Sequence, residues 1–449
     1  MTPTASIKAM QTAALFGINL DEDSTFRTEQ AASLDNLRRE ITPGSILHIT
    51  GPSGAGKSTL LRSLTAQLRH DNTRIIDANR ITPDDRPCVD LIPGPLSDAL
   101  ASLAAAGLAD ARCFVRAPNS LSEGERFRLR LAIALYKARA LDPRAVVIII
   151  DEFAATLDRP TARSAARLLR RAISNAANTS LITVTSHDDL DAPLQPDRCV
   201  HLSATSAQQR RPRRDTEAAR SIITEEGCRD DYKALAHWHY RPGAPAAPVK
   251  TLRLRHAALN ETIGVLVVAM PTLNARWRRI AWPGRYNASN KRANAKRINN
   301  EIRRIARVII DPRFRGLGLA SRLVRAYLRN PLTPCTESAA VMGNCTNFFE
   351  RAGMTAYHLP STARQARMTD ALEHTGVLPH DLASPTNAWA AATTSPINSK
   401  FINRELRRWA NASRTDSRHA DDITEDLWKR ACHSIAGVPV GYAFTSPNE

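Results

Sequence analysis

Residues Gly51-Pro52-Ser53-Gly54-Ala55-Gly56-Lys57-Ser58-Thr59 set three glycines, a lysine and several hydroxyls within nine positions. Glycines allow successive backbone N–H groups to curl around an oxyanion, a lysine adds a point charge, and a neighbouring hydroxyl is an oxygen ligand for Mg²⁺. This is phosphate-holding chemistry. Gly51, Ser53, Gly54, Gly56, Lys57, Ser58 and Thr59 are its expected contacts, with Ser58 on the metal. A second centre lies at Val146-Val147-Ile148-Ile149-Ile150-Asp151-Glu152, an apolar strand ending in two carboxylates. Asp151 at the strand end can hold the Mg²⁺ shell, and Glu152 can orient or deprotonate an attacking water. The elements that position the glycines are legible too. Residues 46–50 read as a short buried strand, while Leu60, Leu61, Leu64 and Leu68 recur on one helical face.

Between the two centres, Leu121-Ser122-Glu123-Gly124-Glu125 opens a helical pattern running to residue 140. Ala155-Thr156-Leu157-Asp158 follows the carboxylates, and His187 follows the apolar run 181–185. In this order and at this spacing the segments resemble ABC-type ATPases: phosphate loop, signature loop, Walker B strand, D-loop and switch histidine. The resemblance covers about residues 40–190. It implies ATP and Mg²⁺ as cofactors, Glu152 and His187 as catalytic residues, and Asp151 with Ser58 on the metal. It also implies that Ser122, Gly124 and Asp158 close over ATP held by another subunit, so that ATP drives homodimerisation. The family's Q-loop glutamine is missing. No Gln occurs between Gln67 and Asn119, Asp90 is the nearest substitute, and the interval leaves little room for a helical subdomain that meets membrane partners.

Charge divides the 449 residues unevenly. Residues 1–205 hold 24 Lys+Arg and 23 Asp+Glu, so 38 of the 62 basic residues and 21 of the 44 acidic ones lie beyond, and almost all of the net +18 with them. A basic half joined to a neutral half points to a polyanionic partner, nucleic acid first. No apolar run is long enough to span a bilayer, and the expected setting is cytoplasmic. The seven cysteines are odd in number and lack a C-x-x-C pair, which suits reduced thiols.

Beyond a polar, basic linker at 203–220, strand patterns recur at 251–254, 262–270 and 305–310. Arg313-Phe314-Arg315-Gly316-Leu317-Gly318-Leu319-Ala320 then leads from strand to helix, and Phe348-Phe349-Glu350-Arg351-Ala352-Gly353-Met354 follows about thirty residues later. These two motifs resemble the pyrophosphate loop and the later helix of GNAT acetyltransferases. The resemblance implies acetyl-CoA or another acyl-CoA at Ile309, Ile310, Arg313, Arg315, Gly316, Gly318, Leu319 and Ala320. Phe349 replaces the tyrosine often proposed to protonate the leaving thiolate, so another acid is required.

From 276 to 307 there are eleven basic residues and one acid, with Trp277, Trp282 and Tyr286 interleaved. Cations for phosphates and rings for bases are what a nucleic-acid reader needs. Arg276, Trp277, Arg278, Arg279, Arg285, Lys291, Arg292, Lys296 and Arg297 are the expected contacts. The expected fold is α/β. It has an ABC ATPase domain at 1–202 and a GNAT-like α+β domain at 221–365 with a basic insertion at 276–304. A mostly helical tail follows at 366–449. In function it resembles soluble ABC ATPases fused to a GNAT domain and, in its second half, phage Mom-type DNA-modification proteins. An ATP-driven base modifier, with DNA preferred over RNA, is the leading expectation. An N-acetyltransferase for proteins or small molecules and a nucleic-acid-binding adaptor are the alternatives.

Overall fold

The computed structural model describes residues 6–16, 28–141, 144–203, 207–210, 221–240, 243–413, 416–420 and 422–447. The chain divides into two compact units, Met1–Pro83 with Ser122–Asp215 and Asp84–Leu121 with Thr216–Glu449.

In the first unit β1 (Ile46–Thr50), β2 (Arg74–Asp77), β3 (Val146–Ile150), β4 (Thr179–Thr185) and β5 (Arg198–Leu202) run parallel. Their order, with the antiparallel edge strand β6 (Ala207–Arg210), is β2-β3-β4-β1-β5-β6. Strands β1, β3 and β4 are buried at every position, the pattern of parallel strands covered on both faces. The helix Lys57–His70 packs Leu60, Leu61, Leu64 and Leu68 into the same core as Leu47, Ile49 and Val147. Strand β4 separates β1 from β3, with Thr185 opposite Thr50 and Thr183 opposite Ile150. Adjacent strands lie about 4.8 Å apart, so three carboxyl ends form one edge, the place where open α/β sheets hold ligands.

Two expectations for this unit change. The residues near 13–20 read from the sequence as a strand leading toward the phosphate-loop strand, but Ile7–Phe16 is helical; its Ala, Met and Leu favour a helix over β-branched alternation, and 17–20 lie outside the described residues. Within the expected linker 203–220, Ala207–Arg210 forms β6, whereas 204–206 and 211–220 lie outside the described residues.

The second unit is built on a seven-stranded sheet ordered β12-β13-β11-β10-β9-β8-β7. Its strands are β7 (Ile222–Glu226), β8 (Pro248–His256), β9 (Glu261–Ala269), β10 (Ile302–Ile310), β11 (Cys335–Ala340), β12 (Thr355–Tyr357) and β13 (Val440–Thr445). Every neighbouring pair is antiparallel except β10 and β11. Side chains alternate across β9: Leu266 and Val268 pack with the helix Leu319–Leu328, Val265 and Val267 with the helix Arg229–Ala236.

The expected C-terminal tail is an insertion. Helices Ala363–His374, Pro385–Ala392, Pro396–Asn411 and Glu425–Ala436 share a core of their own around Met368, Leu406, Trp409 and Trp428. The chain then returns to the sheet as β13, between β11 and β12. Val440, Tyr442 and Phe444 suit that place, because β-branched and aromatic residues fit a pleated, buried surface. The later helix expected at 344–354 reduces to two 3₁₀ turns, Val341–Asn344 and Glu350–Ala352, the second closed by Gly353 at φ 104°.

In β1, His48 is fully buried, and its Nδ1 lies 2.7 Å from Thr183 Oγ1. Burial lowers its pKa from 6.5 to about 4, outweighing the opposite pull of Asp188. The unfolded chain therefore takes up a proton below pH 6.5 that the folded one refuses until pH 4. The corresponding stability is present above pH 6.5 and drains away as pH falls toward 4, by about 3 kcal/mol in full. Unfolding of the full-length chain, followed by denaturant titration at pH 7.5, 6 and 4.5, should show this decline, and His48→Asn should flatten it.

Candidate functional site

The phosphate loop leaves β1 at Gly51, whose φ is 146° and where a Cβ would collide with the Leu202 carbonyl. Only glycine fits there. Gly54 and Gly56 lie in the left-handed region at 81° and 87°, and Gly56 is the N-cap of the helix Lys57–His70, with no side-chain cap hydrogen bond. The Lys57 ammonium folds back across the loop and donates to the Gly51 and Pro52 carbonyls at 2.8 and 2.7 Å. Ser53 and Ser58 are exposed, and Thr59 Oγ1 accepts from Arg62.

Two strands away, β3 ends in Asp151 and Glu152. Asn79 brackets Asp151: its Nδ2 donates to the Asp151 carbonyl at 2.8 Å, and its Oδ1 accepts from the Asp151 amide at 2.9 Å. Asp151 Oδ1 accepts from the Glu152 amide. Glu152 has φ 51° and an exposed side chain. A left-handed residue with a Cβ costs roughly 1–2 kcal/mol, and here that conformation turns the carboxylate out of the strand end. Sequence reasoning missed Asn79; its amide side chain at the tip of β2, the neighbour of β3, was the available signal. Ser58 and Asp151 are hard oxygen donors of the kind Mg²⁺ takes, one carboxylate beside a substrate's phosphates. Among the described residues no three His, Cys, Asp or Glu side chains gather as a metal cage.

His187 follows β4, the strand between the two centres, and its amide donates to Thr185 Oγ1 at 3.2 Å. Ser122 caps the helix Glu123–Arg139 in a reciprocal capping box with Glu125, and Gly124 packs against Thr161, where a Cβ would be crowded. Asp158 caps the helix Arg159–Ser174 through the Thr161 amide.

In the second unit, β10 pairs with β11 only from Ile302 to Ile305, and a bulge between Ile305 and Arg307 shifts its register with β9. Among the described residues, the β11 side of β10 has no strand partner beyond Ile305. Ile309 and Ile310 point their side chains into two different cores, so only their backbone can serve a ligand. The loop that follows has Gly316 and Gly318 at φ 83° and 79°, and Gly318 is an uncapped N-cap for the helix Leu319–Leu328. Leu319 is buried and Ala320 half-buried. Arg313 is paired with Asp311 and Glu261, and Arg315 with Asp110, so neither guanidinium is uncommitted.

The basic segment divides sharply. Arg278, expected on a nucleic-acid face, is buried instead, held by Glu337 and by the carbonyls of Thr272 and Leu273. Trp277 lies against Gly441, and Trp282 and Tyr286 are core residues. Arg276 donates to the Pro360 carbonyl, and Arg285 pairs with Glu301. Arg279, Lys291, Arg292, Lys296 and Arg297 are exposed, four of them on the helix Lys291–Glu301. A carboxylate buried at Glu337 demanded a cation, and sequence could not show which arginine would answer.

Residues 24–184 match the AAA ATPase domain family. The sulfate/thiosulfate import ATP-binding protein of Cucumis sativus is 28% identical over 220 residues, covering 41% of this chain and 59% of that protein. The hemin import ATP-binding protein of Rhodococcus jostii is 29% identical over 201 residues, covering 38% and 66%. The chain thus spans about three-fifths of the length of such curated relatives. A dimeric ATP-binding cassette in a post-hydrolysis state bound to ADP and Pi aligns at 20% identity and TM-score 0.29, over 38% of this chain and 87% of that one. The first unit is an ABC-type P-loop ATPase domain, for which ATP and Mg²⁺ are the fitting cofactors. Among the described residues no helix is long and apolar enough to cross a membrane. Glu152→Gln should slow ATP turnover by at least about 10²-fold, the lower range for a lost general base, while ATP binding persists. Phosphate release compared with equilibrium nucleotide binding measures both; unchanged turnover would remove Glu152 from the role of base.

Proposed function

We propose that the ATPase serves a GNAT-like acyltransferase formed by the second unit, which uses an acyl-CoA to modify a nucleic-acid base. The observation that carries this reading is the parting of β10 from β11 directly before the glycine loop. The one parallel pair of the sheet runs only from Ile302 to Ile305, so that among the described residues the rest of β10 has no strand on that side. An extended, amide-bearing ligand can add to such an edge as a further strand. The same ligand's diphosphate would reach the uncapped helix at Gly318, where backbone amides and the helix dipole favour an anion. Pantetheine linked to a diphosphate has this shape and chemistry.

Tyr442 is the residue we assign as the acid missing at Phe349. It comes from the inserted strand β13, opposite Ser338, and its ring packs on Phe349 at 4.6 Å. Its hydroxyl abuts Gly343 just past the end of β11, where any side chain on Gly343 would collide with it. Burial, aided by the Glu350 carboxylate, raises its pKa above the ordinary phenol value, so the assignment rests on its position and not on its acidity. In acyl transfer the acceptor nitrogen forms the new bond to the acyl carbon, the carbon–sulfur bond breaks, the Tyr442 proton passes to the sulfur, and the proton the nitrogen sheds goes to solvent, from which Tyr442 is reprotonated. The exposed Lys291, Arg292, Lys296 and Arg297 support a polyanionic acceptor, and closure of two ATPase domains around ATP supplies a homodimer.

Nucleoside mass spectrometry of DNA and RNA from cells expressing the chain tests the reading. A new acylated nucleoside is expected, absent with Glu152→Gln and with Gly316→Val, whose Cβ strains the left-handed turn. Tyr442→Phe should lower kcat by about 10²-fold with KM little changed. Acylation of a protein or small molecule, with no modified nucleoside, would refute the base acceptor and keep the acyltransferase.

A further inference from the structure

Residues 84–121 leave the ATPase unit after Pro83 and rejoin it at Ser122, yet they pack as part of the second unit. Their contact with the glycine loop is specific. Arg315 Nη1 donates to Asp110 Oδ2 at 2.9 Å, and the two side chains are only 11% and 9% exposed. Arg315 also donates to the Ile310 carbonyl and, at 3.5 Å, to the Trp238 carbonyl. Arg112 reaches the same turn, donating to the His237 and His239 carbonyls at 3.2 and 3.4 Å. The carboxylate is held firmly, because Asp110 Oδ1 also caps the short helix Ala111–Phe114 through the Arg112 amide.

Arg315 immediately precedes Gly316, the first left-handed residue of the loop. An anion arriving there must share or win the guanidinium from Asp110, and a buried carboxylate so close also repels it, since screening by water is weak at that depth. Both ends of the 84–121 segment lie in sequence beside residues of the nucleotide centre. Asn79, just before its start, brackets the Asp151 backbone. Its end adjoins Ser122, the cap of the helix Glu123–Arg139.

We propose that Asp110 is a built-in competitor for the anion of the glycine loop, displaced when ATP binds. This rests on the reading that the loop takes the diphosphate of CoA. Without ATP the carboxylate occupies Arg315 and repels the diphosphate; ATP moves the anchors, draws Asp110 away, and frees the guanidinium for the ligand. The stretch in which the Q-loop glutamine was sought, Asp90 included, thereby couples nucleotide to the chain's own second unit. Reciprocity requires that CoA strengthen ATP binding by the same factor.

The test is calorimetric titration of CoA into the full-length chain carrying Glu152→Gln, with and without ATP. CoA affinity should rise with ATP by roughly 5- to 150-fold, the usual span of allosteric coupling. Asp110→Asn keeps an oxygen able to cap the helix but removes the charge, and should bind CoA tightly in both conditions. Asp110→Glu keeps the charge and should retain the ATP dependence. CoA binding that is equal with and without ATP, and unmoved by Asp110→Asn, overturns the competitor and leaves the CoA reading standing. Loss of ATP dependence in Asp110→Glu as well as in Asp110→Asn overturns it in favour of packing. No CoA binding by any of these proteins, Asp110→Asn with ATP included, overturns the CoA reading and the competitor together.

Discussion

Among the described residues, two helices begin on a left-handed glycine that offers no side chain to the first turn: Lys57–His70 after Gly56, and Leu319–Leu328 after Gly318. The first amides of a helix have no partner within it, and four other helices satisfy one through Ser122, Asp158, Thr362 or Ser395. Where the cap is glycine, the amides and the positive end of the helix dipole are left to an anion. Much of the rest positions these two helix starts. Buried strands β1 and β10 lead into them, leucine-rich faces hold the helices on their sheets, and the glycines make the turn possible.

The two sheets present their helix starts differently. In the ATPase unit the parallel strands β3, β4 and β1 end level, which sets the Asp151–Glu152 pair and His187 along the same edge as the phosphate loop. Glu152 and Ala154 are both left-handed at that edge, and the Asn79 bracket on Asp151 holds the backbone beside them. In the second unit the helix start follows a strand whose parallel pairing stops early. Strand β10 continues for five residues after its last contact with β11, and β11 is supported beyond that point by β13. The helices between β12 and β13 have their own core, so they can lie in the loop joining two sheet strands without disturbing the sheet.

Basic residues, abundant in the second unit, serve two ends. Arg278 neutralises the fully buried Glu337, Arg253 and Arg255 clasp Glu225, and Arg367 and Arg408 cover the buried Glu405. A cation paired in this way is worth little to an outside polyanion, since its field is already compensated. On the helix Lys291–Glu301, Lys291, Arg292 and Lys296 are exposed, whereas Arg297 pairs with Glu301, and Arg315 is held by Asp110.

The phosphate loop, the strand ending in Asp151 and Glu152, the cap at Ser122 and the turn at Gly316 and Gly318 were all legible in the sequence. Each is a local matter: glycine positions, apolar runs and the residue types at their ends state the backbone path without reference to distant parts. What the sequence left open were the long-range pairings. That β13 would fill the gap between β11 and β12, that Asn79 would bracket Asp151, that Arg278 would turn inward to Glu337, and that Asp110 would take Arg315 all join residues from 59 to more than 200 positions apart. Hydrogen-bond register and buried charge compensation decide such contacts, and both exist only once the sheets have formed. Residue types therefore determined where a glycine turn leaves a helix start without a side-chain cap, and the tertiary structure decided which charges beside it are already paired.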